Sequence, residues 1–465
     1  MNSKDIQTAS AAVWERRDEL WELARKIWEH PEGPFREEMA AQWTGEILER
    51  EGFSVERQAG GVPTAIRASW GQGSPVIGLL GEYDALPGMS QKAQVEREPE
   101  RDGGYGHGCG HNLLAAATVG AAIGMKAAME ASGLPGTVVF YGCPAEEVLT
   151  GKPFMARGGC FRELDFALAW HPGRVNRASA SKSCGCSGIK FRYTGVTAHA
   201  AFDPWNGRSA LDAVSLLNTG AEYMREHVRP DVRLHYVITE GGVAPNIVPE
   251  KAEVWYFVRA LNMDTVEEIC SRLIRAAQGA AMMTDTELTV KRMGGCYPML
   301  GNRALAEALD EALKAVGQEE WSEEEMKTAR TLNMASEKQW RINQRANGLS
   351  EDVQLFSGVA PIAEETTFDS TDVGDVAHIV PTGFFTTATS NLGAPGHSWQ
   401  VTACAGSGIG RKGMLYGARA MAAAGVRLLS DEKLRKRAEE EFLRETEGEE
   451  YRCPIPEDAD CPAVE

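Results

Sequence analysis

Of the 465 residues of the chain, 43% are hydrophobic and 25% are charged, which is typical of a globular protein. The length exceeds that of one ordinary core and predicts two domains. Its formal net charge is −18, which excludes the basic surface that binding to nucleic acid or to an anionic membrane requires. Ten cysteines are scattered along the chain without a signal-peptide pattern, and this usage predicts a reduced, cytoplasmic protein.

The predicted elements begin with helices and continue as an alternation of strands and helices. Apolar residues recur at helical spacing between residues 5 and 52, and apolar strands are predicted at 75–80, 137–141 and 166–170. The run 113–125 predicts a buried helix, because 13 apolar residues are fewer than the ~20 that span a bilayer. This alternation predicts an α/β fold.

After residue 186 the pattern changes to the β-α-β-β-α-β order of a ferredoxin-like unit. Its predicted elements are 189–193, 209–226, 234–238, 252–258, 265–280 and 287–291. We therefore predict a first domain formed by residues 1–186 and 298–465, and an inserted α+β domain of residues 187–297, called the insert below.

Residues with the chemistry of metal ligands follow the predicted strands. Cysteine, histidine and carboxylate side chains are the ligands that a zinc-like ion prefers, and glycine lets the backbone close around an ion. Strand ends are also where α/β sheets place their active sites. The candidates are Cys109, His111, Glu146, Glu147, His171 and His397. Together they predict a metal centre.

Other stretches carry weaker signals. Cys184 and Cys186 lack a partner pair at zinc-finger spacing and are interpreted as packed thiols. The charged residues 91–105 and the polar, largely helical residues 318–352 favour solvated surface, with a border of the substrate pocket as the alternative. The charged residues 430–465 predict a surface helix followed by a loose tail.

Seven short motifs in order resemble the M20 metallopeptidases, in particular the branch of amidohydrolases that act on N-acyl and aminobenzoyl amino acids. The motifs are residues 84–87, 109–111, 146–147, 170–172, 197–201, 244–249 and 396–397. The resemblance implies a catalytic domain with a central mixed sheet and flanking helices. It also implies that the insert is a lid and dimerisation domain, and that two divalent ions are held in each copy of the chain, with zinc or manganese preferred.

The resemblance also implies roles for individual residues. The implied metal ligands are Cys109, His111, Glu147, His171 and His397. Glu146 would be the general base, and Asp84 would orient a ligand, although a plain turn residue is the alternative for Asp84. His199 would reach the active site of a partner subunit and stabilise the oxyanion. Asn246 and Arg259 would hold the substrate carboxylate, with a surface ion pair as the alternative for Arg259.

The chain departs from the family pattern at two places. Glu82 stands where the peptidase branches carry a metal-binding histidine, which leaves a ligand position that Cys109 can fill. Asn112 and Leu113 stand where the amidohydrolases usually carry aspartate and often a further histidine. The first departure favours the amidohydrolase branch.

The implied reaction is hydrolysis of the amide bond of an N-acyl or aminobenzoyl amino acid, such as p-aminobenzoyl-glutamate, with release of the free amino acid. One alternative is a dipeptidase. Another is a chain that is active only with an A-type partner. The presence of every expected ligand argues against an inactive protein.

Overall fold

The computed structural model of the chain describes residues 3–462. Its helices are α1 (Ser3–Glu15), α2 (Arg17–Glu29), α3 (Glu38–Arg50), α4 (His111–Ser132), α5 (Gly151–Arg157), α6 (Ala210–Met224), α7 (Met263–Thr284), α8 (Arg303–Val316), α9 (Glu323–Ala335), α10 (Glu337–Ala346), α11 (Val373–Ala377), α12 (Trp399–Ala405), α13 (Gly408–Ser430) and α14 (Glu432–Glu445). Its strands are β1 (Ser54–Arg57), β2 (Ile66–Gln72), β3 (Val76–Glu82), β4 (Gly136–Cys143), β5 (Phe166–Gly173), β6 (Arg177–Ser179), β7 (Gly185–Thr194), β8 (Arg233–Glu240), β9 (Lys251–Ala260), β10 (Glu287–Cys296) and β11 (Thr382–Ala388).

Seven strands form a mixed sheet in the order β1-β2-β4-β3-β5-β11-β6. The central strands β4, β3, β5 and β11 run parallel, whereas β1, β2 and β6 pair antiparallel at the edges. The predicted α/β fold with a central mixed sheet is therefore confirmed. Because parallel strands end at the same edge of a sheet, residues that follow β3, β4 and β5 lie near one another.

Helix α4 is buried against the sheet and packs on α1, α2 and α13. Its small residues allow close packing, since a Cβ atom at Gly124 would lie 2.8 Å from the carbonyl oxygen of Ala9 in α1. By length and composition α4 could also cross a membrane, but 89% of its most apolar stretch is buried inside the protein. It is thus a core helix of this fold.

Residues 185–296 form a second sheet of four antiparallel strands in the order β10-β7-β9-β8. The element order β7-α6-β8-β9-α7-β10 is that of the predicted ferredoxin-like unit. Both helices pack on this sheet and start at side-chain caps, with Ser209 accepting from the backbone of Asp212 and Asn262 from that of Thr265.

The C-terminal segment is not the loose tail that its charge suggests. Ile455 is only 4% exposed, and Arg157 donates two 2.8 Å hydrogen bonds to the carbonyl oxygens of Pro456 and Ala459. A few apolar residues and one half-buried guanidinium are enough to hold this segment on the core. The prediction of a loose tail is therefore wrong up to residue 462, and residues 463–465 lie outside the described residues.

Candidate metal centre

The predicted ligands meet at the carboxyl edge of the seven-stranded sheet. Glu82 is the last residue of β3, Glu146 and Glu147 lie in a short 3-10 turn after β4, and His171 lies near the end of β5. All of these residues lie at or just after the ends of parallel strands. There the backbone leaves the sheet, and the side chains face a common cleft.

Cys109 and His111 come to the same edge because α4 begins there. Gly110 precedes the helix with a φ of 82°, and a Cβ atom at this position would lie 3.0 Å from the Cβ of Pro172. Only glycine combines a left-handed backbone with so close a neighbour. The glycine therefore brings the thiol and the imidazole against the end of β5, which carries His171 and Pro172.

Three overlapping groups of side chains have the spacing of metal ligands. Within each group the donor atoms lie within 4.8 Å of one another. The groups are Cys109, His111 and His171; Cys109, Glu147 and His397; and Glu82, His111 and Glu146. Cys109 and His111 each belong to two of them, so the three groups form one connected cluster.

Hydrogen bonds orient two of the histidines toward this cluster. His111 Nδ1 lies 2.9 Å from Asp84 Oδ1, and Asp84 Oδ2 accepts a 2.9 Å bond from the backbone N–H of Glu147. His171 Nδ1 lies 2.8 Å from the carbonyl oxygen of Pro172, and its Nε2 lies 3.3 Å from Cys109 Sγ. A proton on each Nδ1 leaves the Nε2 lone pair free for a cation.

Three buried polar atoms at the cluster form no hydrogen bond among the described residues. They are His111 Nε2, Glu82 Oε2 and Glu147 Oε1. His111 Nε2 lies 3.4 Å from Glu82 Oε2 and 3.9 Å from Glu146 Oε2. Buried acceptors without donors cost free energy unless a cation satisfies them. The donor set therefore fits divalent metal ions.

The backbone is strained around the cluster. Ala145 before the paired glutamates, Leu149 after them and His397 have φ values of 58°, 59° and 50°. Such left-handed conformations are costly for residues other than glycine and persist where the surroundings enforce them, often at functional sites. At His397 the conformation brings Nε2 to 3.5 Å from Glu147 Oε2.

Burial shifts the pKa values of Cys109, Glu146, Glu147 and His171 toward the neutral forms. At His111, by contrast, desolvation is outweighed by the neighbouring Cys109 and Asp84, which raise the pKa well above its usual value. Desolvation raises the pKa of Cys109 to about 12 and that of Glu147 to about 7, and it lowers the pKa of His171 to about 4. Burial and the charge of Glu82 raise the pKa of Glu146 well above its usual value. A divalent cation among these groups would favour thiolate and carboxylate and so reverse the shifts of the acidic groups.

A buried ammonium lies behind the cluster. Lys152 is fully buried and its Nζ lies 2.6 Å from Glu82 Oε1 and 2.5 Å from Asp372 Oδ1. Although burial raises the pKa of Glu82, the charges of Lys152 and His111 hold it below its usual value. Glu82 therefore carries a negative charge beside His111, and Lys152 balances it from the other side.

The cluster lies in a pocket of about 1080 Å³. Arg259 lines this pocket and donates a 2.7 Å hydrogen bond to Ser370 Oγ, and it forms no ion pair among residues 3–462. Asn343 and Asn347 line the pocket too, so the segment 318–352 borders it, in agreement with the alternative interpretation of that segment. The pocket thus combines a candidate metal site with guanidinium and amide groups that can bind a polar substrate.

Two of the expected residues do not reach this pocket within the chain. His199 and Asn246 lie together on the insert, where the backbone N–H of Ala200 donates a 3.0 Å bond to the carbonyl oxygen of Asn246. Both are exposed, and the ring of His199 accepts from the backbone of Ala201 and Phe202. The carboxylate-binding pair expected from the sequence, Asn246 and Arg259, is therefore separated in the folded chain.

Sequence reasoning missed four polar residues at the site: Lys152, Asp372, Arg174 and Arg177. Lys152 offered a signal, since it is the only charged side chain among the buried residues 151–156. Arg174 follows His171 by three residues, directly after the end of β5, and that closeness is a signal as well. For Asp372 and Arg177 no local pattern pointed to the site.

Comparison with known proteins agrees with this geometry. The sequence profile of peptidase family M20/M25/M40 matches residues 78–338. The chain is 40% identical to the B-type chain of the p-aminobenzoyl-glutamate hydrolase of Escherichia coli K12, over 96% of each protein. It is 32% identical to the Xaa-Arg dipeptidase of Mus musculus, over 68% of this chain and 72% of that protein. Among solved structures, a putative aminohydrolase from methicillin-resistant Staphylococcus aureus matches with a TM-score of 0.66 at 20% identity, covering 91% of this chain and all of that one.

Proposed function

The chain belongs to peptidase family M20/M25/M40, whose hydrolases act on amide bonds, and on this premise we propose that it hydrolyses an N-acyl or aminobenzoyl amino acid such as p-aminobenzoyl-glutamate. The observation that carries the proposal is the cluster of metal-ligand side chains in one pocket with Arg259. A guanidinium without an ion-pair partner suits the α-carboxylate of the released amino acid.

In this proposal Cys109, His111, Glu147, His171 and His397 hold two divalent ions, of which zinc and manganese best suit the mixed donor set. Two such ions, when bound, would polarise the amide carbonyl and lower the pKa of a water molecule. Asp84 keeps His111 in the tautomer whose Nε2 faces the cluster. Glu146 accepts the proton of the attacking water and delivers it to the leaving amine.

The insert supports a proposal for assembly. Its exposed side chains include Phe202, Trp205 and Tyr223, which are 79%, 72% and 76% exposed, and β8 is an edge strand. Large exposed aromatic groups and a free strand edge are features of protein interfaces. We propose that the insert acts as lid and dimerisation domain, and that His199 and Asn246 of one protomer complete the pocket of its partner. The domain limits 1–186, 187–297 and 298–465 belong to the same proposal.

Three further assignments concern the partner, the substrate and the compartment. The E. coli relative is named as one of two kinds of chain in its hydrolase, which supports the alternative that the partner is a different, A-type chain. The mouse relative is named as a dipeptidase, which supports dipeptides as alternative substrates. The protein is proposed to act in the cytoplasm, in keeping with ten free cysteines among the described residues.

A hydrolysis screen tests the proposed function. The purified chain is loaded with zinc or manganese and incubated with p-aminobenzoyl-glutamate, other N-acyl amino acids and a set of dipeptides. We expect release of the free amino acid from the aminobenzoyl or acyl conjugates at the highest kcat/KM. Faster cleavage of dipeptides would favour the dipeptidase. Turnover that appears only after an A-type chain is added would favour the heteromer.

Replacing Cys109 by alanine is expected to lower the metal content of the protein. The thiolate is a proposed metal ligand, and its loss removes a donor that the remaining side chains cannot replace. Metal content after dialysis, measured by atomic emission, checks this. Cys160→Ala, which removes a buried thiol from the core away from the cluster, is the matched control and should retain its ions. A fully loaded and active Cys109→Ala protein would contradict the role.

Replacing His199 by alanine is expected to lower kcat by about 10²- to 10³-fold with a much smaller change in KM, because an oxyanion donor acts mainly in the transition state. Mixing this variant with inactive Glu146→Ala should restore part of the activity, since a mixed dimer contains one site with an intact base and an intact partner histidine. His227→Ala, an exposed histidine of the insert, is the control and should stay active. Verified mixed dimers that remain inactive would show that His199 does not act across the interface.

A further inference from the structure

Three half-buried arginines line the pocket without an ion-pair partner among the described residues. They are Arg174, Arg177 and Arg259. Arginines on the open surface need no partner because water solvates them, but a guanidinium withdrawn from water loses that solvation. Arg259 is already assigned to the α-carboxylate in the proposed function. Arg174 and Arg177 have no role in it.

Each of these two guanidinium groups is held by one neutral acceptor. Arg177 Nη2 donates a 2.7 Å bond to Asn347 Oδ1, and its Nε is buried with no acceptor. Arg174 Nη1 donates a 2.6 Å bond to the carbonyl oxygen of Ala394, in the loop that leads to His397. Both arginines are thus fixed in place, and both keep N–H donors for which residues 3–462 supply no acceptor.

The register of the sheet brings Arg177 level with the candidate metal centre. Thr386 of β11 pairs with His171 of β5 on one side and with Arg177 of β6 on the other. Residues paired in register face the same side of a sheet, and all three line the pocket. Two strand spacings separate the Cα atoms of Arg177 and His171 by about 10 Å, a distance that a substrate of amino-acid size can bridge.

The segment 318–352 strengthens this arrangement. Asn347 follows α10, and its side chain also donates a 2.9 Å bond to the carbonyl oxygen of Asn343. Asn343 Nδ2 in turn donates a 2.7 Å bond to the carbonyl oxygen of Leu392, close to the loop of His397. The segment therefore ties the side chain of Arg177 to the backbone of Leu392, in the stretch of chain that precedes His397.

Carboxylates of the pocket do not neutralise these arginines. Glu365 and Asp369 lie at the wall, but both are exposed and neither forms an ion pair within the described part of the chain. An exposed carboxylate is well solvated and adds little attraction for a cationic ligand. Apart from Glu146 and Glu147 at the candidate metal centre, the charged side chains withdrawn from water at the pocket wall are the three arginines, and they favour an anionic ligand.

We propose that Arg174 and Arg177 form a second carboxylate-binding site, so that the preferred substrate carries a carboxylate in addition to the α-carboxylate that Arg259 binds. The proposal rests on the proposed function and names its substrate class, dicarboxylic acyl amino acids. A guanidinium fork matches the two oxygens of a carboxylate, and a nearby pair of guanidinium groups can share them. The second carboxylate can belong to the side chain of the released amino acid or to the acyl group.

The test compares charged and neutral substrates of equal shape. One pair is p-aminobenzoyl-glutamate and p-aminobenzoyl-glutamine, which differ in charge on the amino-acid side. The other pair is N-succinyl-phenylalanine and N-succinamoyl-phenylalanine, which carry a carboxylate and a carboxamide at the same position of the acyl group. With the metal-loaded protein we expect kcat/KM to favour the charged member of one pair by about 10- to 100-fold. Equal values within both pairs would overturn the proposal.

Arg177→Gln is expected to remove most of that preference while leaving kcat/KM for the neutral member nearly unchanged. A purely structural role for Arg177 would lower both values alike, and that result would overturn the assignment. Asn347→Asp is a second variant, because a carboxylate beside Arg177 competes with the substrate and should also reduce the preference. Arg345→Gln removes an exposed arginine of α10 outside the pocket and should keep the preference of the unmodified protein.

Calorimetric binding of the same four compounds separates this proposal from the proposed function. If the protein hydrolyses none of them yet binds the charged member of a pair at least 10-fold more tightly, and Arg177→Gln abolishes the difference, the carboxylate site stands and the proposed function fails. If it hydrolyses them without any difference in kcat/KM or Kd between charged and neutral members, the proposed function stands and the carboxylate site is refuted.

Discussion

Glu146→Ala is expected to abolish measurable turnover and to leave the metal content unchanged. Glu146 lies in the 3-10 turn after β4, with Oε2 at 3.9 Å from His111 Nε2 and its side chain 10% exposed at the pocket. A general base contributes about 10²- to 10⁴-fold to a rate, and a base that is not a ligand can be removed without opening the metal site. Steady-state kinetics and atomic emission on the same sample measure the two effects.

Glu147→Ala is the matched control for this experiment. Both glutamates belong to candidate ligand groups, but only Glu147 is a ligand in the proposed function, so its removal should lower the metal content as well as the rate. The two glutamates are neighbours in the same turn, and the comparison therefore isolates their roles from general damage to the loop. Loss of ions from Glu146→Ala and their retention in Glu147→Ala would mean that the two roles are exchanged.

Lys152→Met is expected to lower the free energy of unfolding by about 3–5 kcal/mol, because removing one partner leaves Glu82 and Asp372 as uncompensated buried charges. Denaturant unfolding, followed by circular dichroism, measures the loss. Lys314→Met is the control, since Lys314 forms an exposed pair with Asp310 on α8 that is worth about 0–1 kcal/mol. If Lys152→Met lowers the free energy of unfolding no more than the control does, Lys152 does not balance the buried charges of Glu82 and Asp372.

The loss in Lys152→Met should also depend on pH. Burial raises the pKa of Asp372 from 3.8 to about 6 in the presence of Lys152, and removal of the ammonium raises it further. The folded state then binds more protons than the unfolded state, so stability falls as the pH rises through this window. We expect a smaller loss at pH 5 than at pH 8. A loss that is constant with pH would show that packing, and not charge, determines the effect.

The sequence by itself determined the elements and the chemistry of the candidate site. Uninterrupted apolar runs predicted α4 and the strands β3, β4 and β5, because such patterns report on residues that are neighbours along the chain. The residue types at the strand ends pointed to a metal, since the ligand preference of a cation depends on the side chain alone. The pairing of Cys109 with His111 on either side of Gly110 could also be seen in the sequence, because the three residues are adjacent in the chain. The family resemblance supplied the roles of the individual residues.

Only the tertiary structure decided which distant residues share the pocket. The pair of Arg177 and Asn347 spans 170 residues, and the pair of Lys152 and Asp372 spans 220. Locally, Lys152 belongs to a short helix of buried residues, and nothing near it in sequence indicates that two carboxylates surround it. Contacts of this kind depend on strand register and on what the folded chain buries. Those properties arise from pairing across the whole sheet, which no local pattern of residues encodes.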